Sequence, residues 1–483
     1  MKSLAAPLLV VVALSVALYA RTLRFPFAEL DDRELVVDDL AFLARPSAPW
    51  EAFGRPYFRE RARDHAYYRP VVTASFALDA AGSGSRASGY RATNLLLHAT
   101  TACLLLLLLS AEGYSRGLAL VVTLLFAVHP ALTATVAWIP GRDDLLLGLF
   151  SLAAWLALLR LEQGYRPLPA LAHAACFFLA LASKEAALCL PLVFVLQRVV
   201  VRGRPWRAAV PLWLLGLWGA TLAVVWLMRR AVLGADLGLP EPNGLRLLAG
   251  VRGLFTGLGS LGVPLQPRVV AVPADVPLWP GCVAFGLLLG ALALPRLTRS
   301  RLVFAVAGSV IAALPSLPAS GVLVLESRLY LPALVLALGA AELGRCLPLP
   351  EGRRGALGAG LVVLTFALAW QTLGNFSDRA TFARALARGS PHSSLAQRNL
   401  GVAEQLAGNS DAARRAYERA LAADPDERLV HNNLAVLLMA EGNLAAAERE
   451  LRAELASNPE SREARENLAR VQQALGGAHD PGR

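Results

Sequence analysis

Eleven apolar segments recur along residues 1–372, and they limit what this chain can fold into more than any other feature. They lie near 4–23, 91–110, 117–132, 144–160, 168–183, 186–201, 208–228, 279–295, 302–318, 329–345 and 355–372. The hydrocarbon core of a bilayer offers no water to a peptide group, so a spanning segment must satisfy its backbone internally. A helix of about 20 apolar residues does so. A soluble domain is excluded over this stretch, because the segments are too apolar and too closely spaced. The expectation is an all-α, polytopic membrane helix bundle of about 11 spans over residues 1–375. The stretch 245–263 is Gly-rich and carries Arg246 and Arg252, so an interfacial or re-entrant path is the alternative to a span there.

Charge follows the same plan. The net charge is +11, with lysine only at Lys2 and Lys184. Nucleic acid need not be the reason, since many arginines sit in short loops between apolar segments, where they fix topology. Arg198, Arg202, Arg204 and Arg207 form one cluster, Arg296, Arg299 and Arg301 another, and Arg345, Arg353 and Arg354 a third. Placing all three inside puts the loop 24–90, the stretch 229–278 and the C-terminal region outside. Leu18-Tyr19-Ala20 is a poor cleavage site because its first residue is large, so the first segment is expected to stay as a signal anchor. The five cysteines show no ligand-like spacing and read as small core residues.

After residue 375 the composition turns polar and a repeat begins. Pro391, Pro425 and Pro459 are 34 residues apart, as are Asn399, Asn433 and Asn467, and Gly408 and Gly442. That period, with small residues at helix crossings and proline after the second helix, is a tetratricopeptide pattern. Residues 376–476 are expected to form a short tetratricopeptide α-solenoid, followed by a disordered tail over 477–483. Such stacks present a concave groove that can hold a protein or peptide, or can pack on the membrane domain.

Ionisable residues beside the apolar segments carry the chemistry. Asp31-Asp32 follows the first segment, and adjacent carboxylates there can accept a proton or hold a divalent cation. The run Asp64-His65-Ala66-Tyr67-Tyr68-Arg69-Pro70 mixes aromatics with charge in the long loop 24–90. His129-Pro130 precedes Trp138-Ile139-Pro140-Gly141-Arg142-Asp143-Asp144, and Ser183-Lys184-Glu185 interrupts two apolar runs. Lys184 and Glu185 are adjacent, so they are expected to have separate partners. Glu326-Ser327-Arg328-Leu329-Tyr330 places another arginine on the same side. Arg69, Arg142, Lys184 and Arg328 together suit an anionic, lipid-linked substrate at the membrane surface.

These motifs resemble a family. The run Tyr68–Asp79 with Gly89–Ala99, then His129-Pro130 with Gly141-Arg142-Asp143-Asp144, Ser183-Lys184-Glu185 and Leu329-Tyr330-Leu331-Pro332, is similar to the transmembrane-and-tetratricopeptide O-mannosyltransferases. The resemblance implies a GT-C-type fold and an inverting glycosyltransferase that takes one sugar from a polyprenyl-phosphate carrier to an extracytoplasmic acceptor. A protein Ser or Thr hydroxyl is the acceptor it favours. It also implies Asp31 or Asp32 as base or metal-holding residue, and Arg69, Arg142, Lys184 and Arg328 as phosphate ligands. His129, Asp144, Glu185 and Tyr330 are implied in support, and metal use is left open. A bacterial cytoplasmic membrane, with active-site loops and repeats outside, is the expected location. Ala134 and Thr135 stand where relatives carry a glutamate, and the order Glu326-Ser327-Arg328 is shifted from theirs. The other readings are a non-catalytic scaffold whose repeats recruit envelope-assembly partners, and an enzyme acting on lipid or polysaccharide.

Overall fold

The protein is described by a computed structural model over residues 4–28, 30–58, 67–162, 164, 166–234, 244–264, 268–294, 296–316 and 324–477. Asp64, His65 and Ala66, and all but the first residue of the expected tail 477–483, lie outside the described residues. Two compact units emerge. One comprises Met1–Val269 and Pro277–Asp378, the other Val270–Val276 and Arg379–Arg483.

The first unit is a helical bundle. Its Ala5–Tyr19 helix is apolar on every side and turns Leu9, Val10, Val12 and Val16 outward, as a lipid-facing helix does. Within it, Ser15 donates to the Val11 carbonyl at 2.9 Å and so needs no outside partner. Five helices among the described residues are long and apolar enough to cross a membrane: Ala5–Arg24, Ala87–Ala111, Leu212–Leu233, Glu326–Cys346 and Glu351–Phe376. A sixth arises if Arg116–Ala127 and Pro130–Ala137, bent by 51°, count as one broken span. Pro130 explains the break, since it lacks an N–H and pushes His129 to φ −72°, ψ 125°. The remaining expected spans are helical but shorter, as in Pro167–Leu181, Trp279–Ala291 and Arg299–Ala313, or begin with charges, as in Arg142–Arg160. The chain is an integral membrane protein with fewer self-sufficient spans than the 11 apolar segments suggest.

Ala87–Ala111 is the central helix, packed on Ala5–Tyr19, Arg116–Ala127 and Arg142–Arg160. Arg91, Asn94, His98 and Thr101 fall on one side of it by their three- and four-residue spacing, and all are 0 % exposed. Small residues let neighbouring helices approach. A Cβ on Gly148 would lie 2.5 Å from Tyr330 Cε1, so only glycine fits beneath that ring.

The second unit is a stack of antiparallel helix pairs. Its helices are Arg379–Gly389, Ser394–Leu406, Ser410–Ala423, Val430–Ala440, Leu444–Ser457 and Arg462–Gly477. Gly408 and Gly442, at φ 80° and 79°, close successive first helices in the left-handed conformation that glycine adopts without strain. Gly401 serves packing instead, because a Cβ there would sit 2.4 Å from Tyr417 Cε1. Gly401→Leu should therefore cost the repeats about 1–3 kcal/mol by overpacking. Hydrogen exchange should show lost protection in residues 379–477, and unchanged protection there would refute this packing role.

Val270–Val276 belongs to this second unit, although composition places it with the membrane region. Asp275 is the clip: it accepts from Ser390 Oγ at 2.7 Å and from the His392 backbone N–H at 3.1 Å, and its Oδ1 lies 2.6 Å from His392 Nδ1. Burial alone would raise its pKa, but the bonds from His392 and Ser390 outweigh burial and hold it below the ordinary 3.8. A depressed carboxylate pKa stabilises the fold above the unfolded value, and that contribution is lost as pH falls through the folded one. Protection factors at 270–276, corrected for the intrinsic pH dependence of exchange, should fall as the pH drops below about 4, and Asp275→Asn should remove most of that change.

Candidate functional site

Three helix ends in the first unit bring charge together. Arg69 immediately precedes the Pro70–Ser83 helix, which Pro70 can open because its missing N–H falls in the first turn. Asp143 and Asp144 occupy the first turn of Arg142–Arg160, where the helix dipole favours negative charge. Lys184 and Glu185 follow Pro167–Leu181, with Lys184 in extended backbone at φ −159°, ψ 137°. Arg69 Nη1 donates to Asp143 Oδ2 at 2.6 Å, and its Nε and Nη2 donate to Glu185 Oε2 at 3.1 and 2.9 Å. Lys184 Nζ lies 3.2 Å from Asp143 Oδ2 and 2.7 Å from Asp144 Oδ2. Adjacent Lys184 and Glu185 thus take different partners, as their backbone positions require.

Aromatic rings and two further charges border this cluster. The Arg69 guanidinium lies 4.5 Å from the Tyr67 ring centre and 5.2 Å from that of Tyr57. Burial works against the Arg69 charge, but Glu185 and Asp143 more than offset it and hold its pKa above the ordinary value. Burial, and then the carboxylates of Asp143, Asp31 and Glu185 against the opposing Arg69, hold the Tyr57 phenol well above its usual value. Asp31 is therefore within electrostatic reach of this corner. Arg328 is too, since Tyr67, Asp144, Arg69 and Asp143 all act on it. The gathered side chains are Arg69, Lys184 and Arg328 against Asp143, Asp144 and Glu185, with half-buried Asp31 nearby.

The two aspartates of the Asp31-Asp32 pair part company. Asp32 is 0 % exposed, and its Oδ2 accepts the Ala28 N–H at 2.7 Å, closing the turn below it. Asp32 also lies within electrostatic reach of buried Arg91, which donates to the Pro26 carbonyl at 2.5 Å and to the Ala137 carbonyl. Leu30, just before the pair, sits at φ 72°, a conformation that costs a branched side chain about 1–2 kcal/mol. Strain at the residue leading into Asp31 is the kind that surrounding structure must enforce.

Several sequence candidates lie elsewhere. Arg142 is 0 % exposed and donates to Asn94 Oδ1 at 2.8 Å, the Tyr90 carbonyl at 2.6 Å, Ser75 Oγ at 3.4 Å and Asp79. Its fork is spent inside the protein, so it positions helices, where the sequence suggested phosphate binding. The reason is its place in the first turn, one residue and about 100° around the helix from Asp143. His129 Nε2 lies 3.0 Å from the Leu261 carbonyl, and His129 Nδ1 accepts the Ala131 N–H, so it fastens the broken helix. Tyr330 Oη lies 2.9 Å from His98 Nδ1, and His98 Nε2 lies 2.9 Å from the Ala127 carbonyl. A neutral His98 that donates to that carbonyl accepts from Tyr330. Among the described residues, no three His, Cys, Asp or Glu side chains are grouped to hold a metal ion.

Sequence reasoning missed Arg91 and Asn94 as framework residues. Asn94 Nδ2 reaches the carbonyls of Val136, Trp138 and Ile139 at 3.2–3.4 Å while its oxygen accepts from Arg142. Both residues interrupt an apolar helix, and that cost was itself the available signal. Tyr57 left no comparable trace in the pattern.

Residues 367–428, 405–461 and 432–476 match the family described as tetratricopeptide repeat. A stretch of 153 residues, 30 % of the chain, is 36 % identical to protein O-mannosyl-transferase TMTC1 of Mus musculus and covers 16 % of that protein. A stretch of 156 residues, 31 % of the chain, is 34 % identical to protein O-mannosyl-transferase TMTC2 of Homo sapiens and covers 18 % of it. Over 148 residues, 30 % of the chain, identity to protein O-mannosyl-transferase Tmtc1 of Drosophila melanogaster is 33 %, covering 17 % of the relative. The matched stretch thus spans less than a fifth of these relatives' own length. No solved structure matches the chain. The family that the motifs resemble is the one these comparisons find, with the repeats alongside.

Proposed function

We propose that the chain is a membrane glycosyltransferase that moves one sugar from a polyprenyl-phosphate carrier to a protein Ser or Thr hydroxyl outside the cytoplasm. Its repeats hold the acceptor or a partner, and the cytoplasmic membrane of a bacterium is its location. The observation that carries this reading is the meeting of Arg69, Lys184 and Arg328 with Asp143, Asp144 and Glu185 at one corner, within reach of Asp31. The relatives' shared description as protein O-mannosyl-transferases supports the reaction class.

The chemistry is a single displacement. Asp31, half-buried, takes the proton of the acceptor hydroxyl as its oxygen bonds to the anomeric carbon. The bond from that carbon to the phosphate oxygen breaks, and its electron pair leaves with the polyprenyl phosphate. Attack opposite the leaving group inverts the anomeric centre. Arg69, Lys184 and Arg328 stabilise the charge growing on the phosphate. Glu185 has the most exposed carboxylate of the ion-paired three, its side chain 34 % exposed, so it is the one that yields Arg69 to the donor. Asp143 and Asp144 hold Lys184 in place, while Asp32, Arg142, His129 and Tyr330 keep the surrounding segments fixed.

Purified protein in nanodiscs, given a polyprenyl-phosphate sugar and a Ser/Thr peptide, tests this directly. Mass spectrometry should find the peptide heavier by one sugar, with inverted anomeric configuration by NMR. Transfer to co-reconstituted lipid alone would move the assignment to a lipid-directed enzyme. No transfer to either, under conditions where the protein is folded, would overturn the transferase reading.

A further inference from the structure

The repeat unit has a cavity of about 480 Å³ formed by the helices Arg379–Gly389, Ser394–Leu406 and Ser410–Ala423. Arg384, Arg388 and Arg419 line it, with Ala387 and Leu400 as apolar wall and Gln397 at its side. Among the described residues, none that lines it is acidic.

The three arginines are unequally occupied. Arg384 Nε donates to Glu404 Oε1 at 3.0 Å, so its charge is largely answered. Arg388 uses Nε on the Arg384 carbonyl at 3.3 Å, a neutral acceptor that leaves its charge unbalanced. Arg419 has no hydrogen-bond or ion-pair partner among the described residues. Both are exposed residues, so each guanidinium fork is available to a carboxylate.

Gln397 adds a second, independent observation. It is only 3 % exposed, and its Nε2 donates to the Pro391 carbonyl at 2.9 Å. Its Oε1 is buried with no hydrogen-bond partner among the described residues. A buried amide oxygen without a donor is costly, and a peptide N–H is the donor that meets it in kind.

Two uncompensated cations, an orphaned amide acceptor and a small apolar wall call for one kind of occupant. It must carry carboxylates, a hydrogen-bond-donating backbone and at least one apolar side chain. We infer that this cavity docks an acidic segment of the acceptor polypeptide, with Arg388 and Arg419 on its carboxylates and Gln397 on its backbone. The inference rests on the reading of the repeats as the acceptor-holding part, and it names the acceptor's local chemistry. The cavity volume suits a few residues of such a segment.

The test uses full-length protein in nanodiscs of neutral lipid and a fluorescein-labelled acidic dodecapeptide with one central leucine. Its control is the same peptide with every acid replaced by the amide. Fluorescence anisotropy should show the acidic peptide binding at least tenfold tighter than its amide control. Arg388→Ala/Arg419→Ala should weaken it at least tenfold, and Gln397→Leu should weaken both peptides alike. Circular dichroism and hydrogen exchange of the repeats would establish that each variant is folded. Equal binding of the two peptides, or full affinity in the folded double variant, would overturn the inference. So would vesicles of phosphatidylglycerol displacing the peptide from wild type and binding the double variant less well, which would make the site one for lipid. Binding needs no sugar donor, so failed transfer with intact, arginine-dependent binding would sink the enzyme and leave the docking site standing.

Discussion

Asp31→Asn should abolish most transfer, by about 10²–10⁴-fold in kcat, while expression and thermal stability stay at wild-type levels. The amide keeps the shape of the side chain and removes the proposed base. Asp32→Asn should behave in the opposite way. Asp32 is buried against the Ala28 N–H and the Arg91 charge, and an amide can accept the hydrogen bond but cannot answer the cation. Its cost should appear in stability, at about 1–3 kcal/mol, with any transfer defect following the fraction folded. Paired kinetics and thermal unfolding of the two variants separate the roles of adjacent, identical side chains. A catalytic loss in folded Asp32→Asn with none in Asp31→Asn would exchange the assignments, and no kinetic loss in either would remove the carboxylate base altogether.

Arg142→Ala should lose about 3–5 kcal/mol, the cost of leaving a buried ion-pair partner alone. Asp79 would then face no cation, and the Tyr90 carbonyl and Asn94 oxygen would lose their donors together. Arg142→Lys should not rescue, because one ammonium cannot reach three directions that a fork serves at once. Asp79→Ala/Arg142→Ala should recover part of the loss by removing both charges. Scanning fluorimetry in one detergent reads all three variants. A melting temperature within 1 °C of wild type (~1 °C being a fraction of a kcal/mol) would mean that Arg142 is not the clip its surroundings indicate.

Sequence and structure agree where periodicity is strong. The 34-residue recurrence of Pro391, Pro425 and Pro459 marks helix pairs that the fold contains, and Gly408 and Gly442 fall at the turns the pattern requires. Apolar length was a weaker guide. It identified helices but overstated how many can cross a membrane alone, because Pro130 breaks one and charges begin another. Within the site, adjacency in sequence concealed different roles. Asp31 and Asp32 look equivalent as letters, yet only Asp32 is fully buried, while Arg142, Asp143 and Asp144 are all buried but turn to different partners. Arg91 and Asn94 were legible as misfits in an apolar helix, but their partners are carbonyls of residues 26 and 136–139, which no local pattern reveals. Val270–Val276 joins the repeats through Asp275 and His392, a link 117 residues long that composition does not mark.

The balance of charge at the Arg69 corner has a consequence for how substrate arrives. Arg69 and Lys184 ion-paired with Asp143, Asp144 and Glu185, with Arg328 in electrostatic reach, nearly cancel beyond a few ångströms. A site so balanced casts little field around it, so under the proposed function it would not draw phosphates from a distance. On the proposed reading, a lipid phosphate would be recognised only on arrival, when a carboxylate gives up its cation to it. Ordinary anionic phospholipids would therefore not be concentrated there. Selection falls to whichever headgroup carries enough additional binding to drive that exchange of partners.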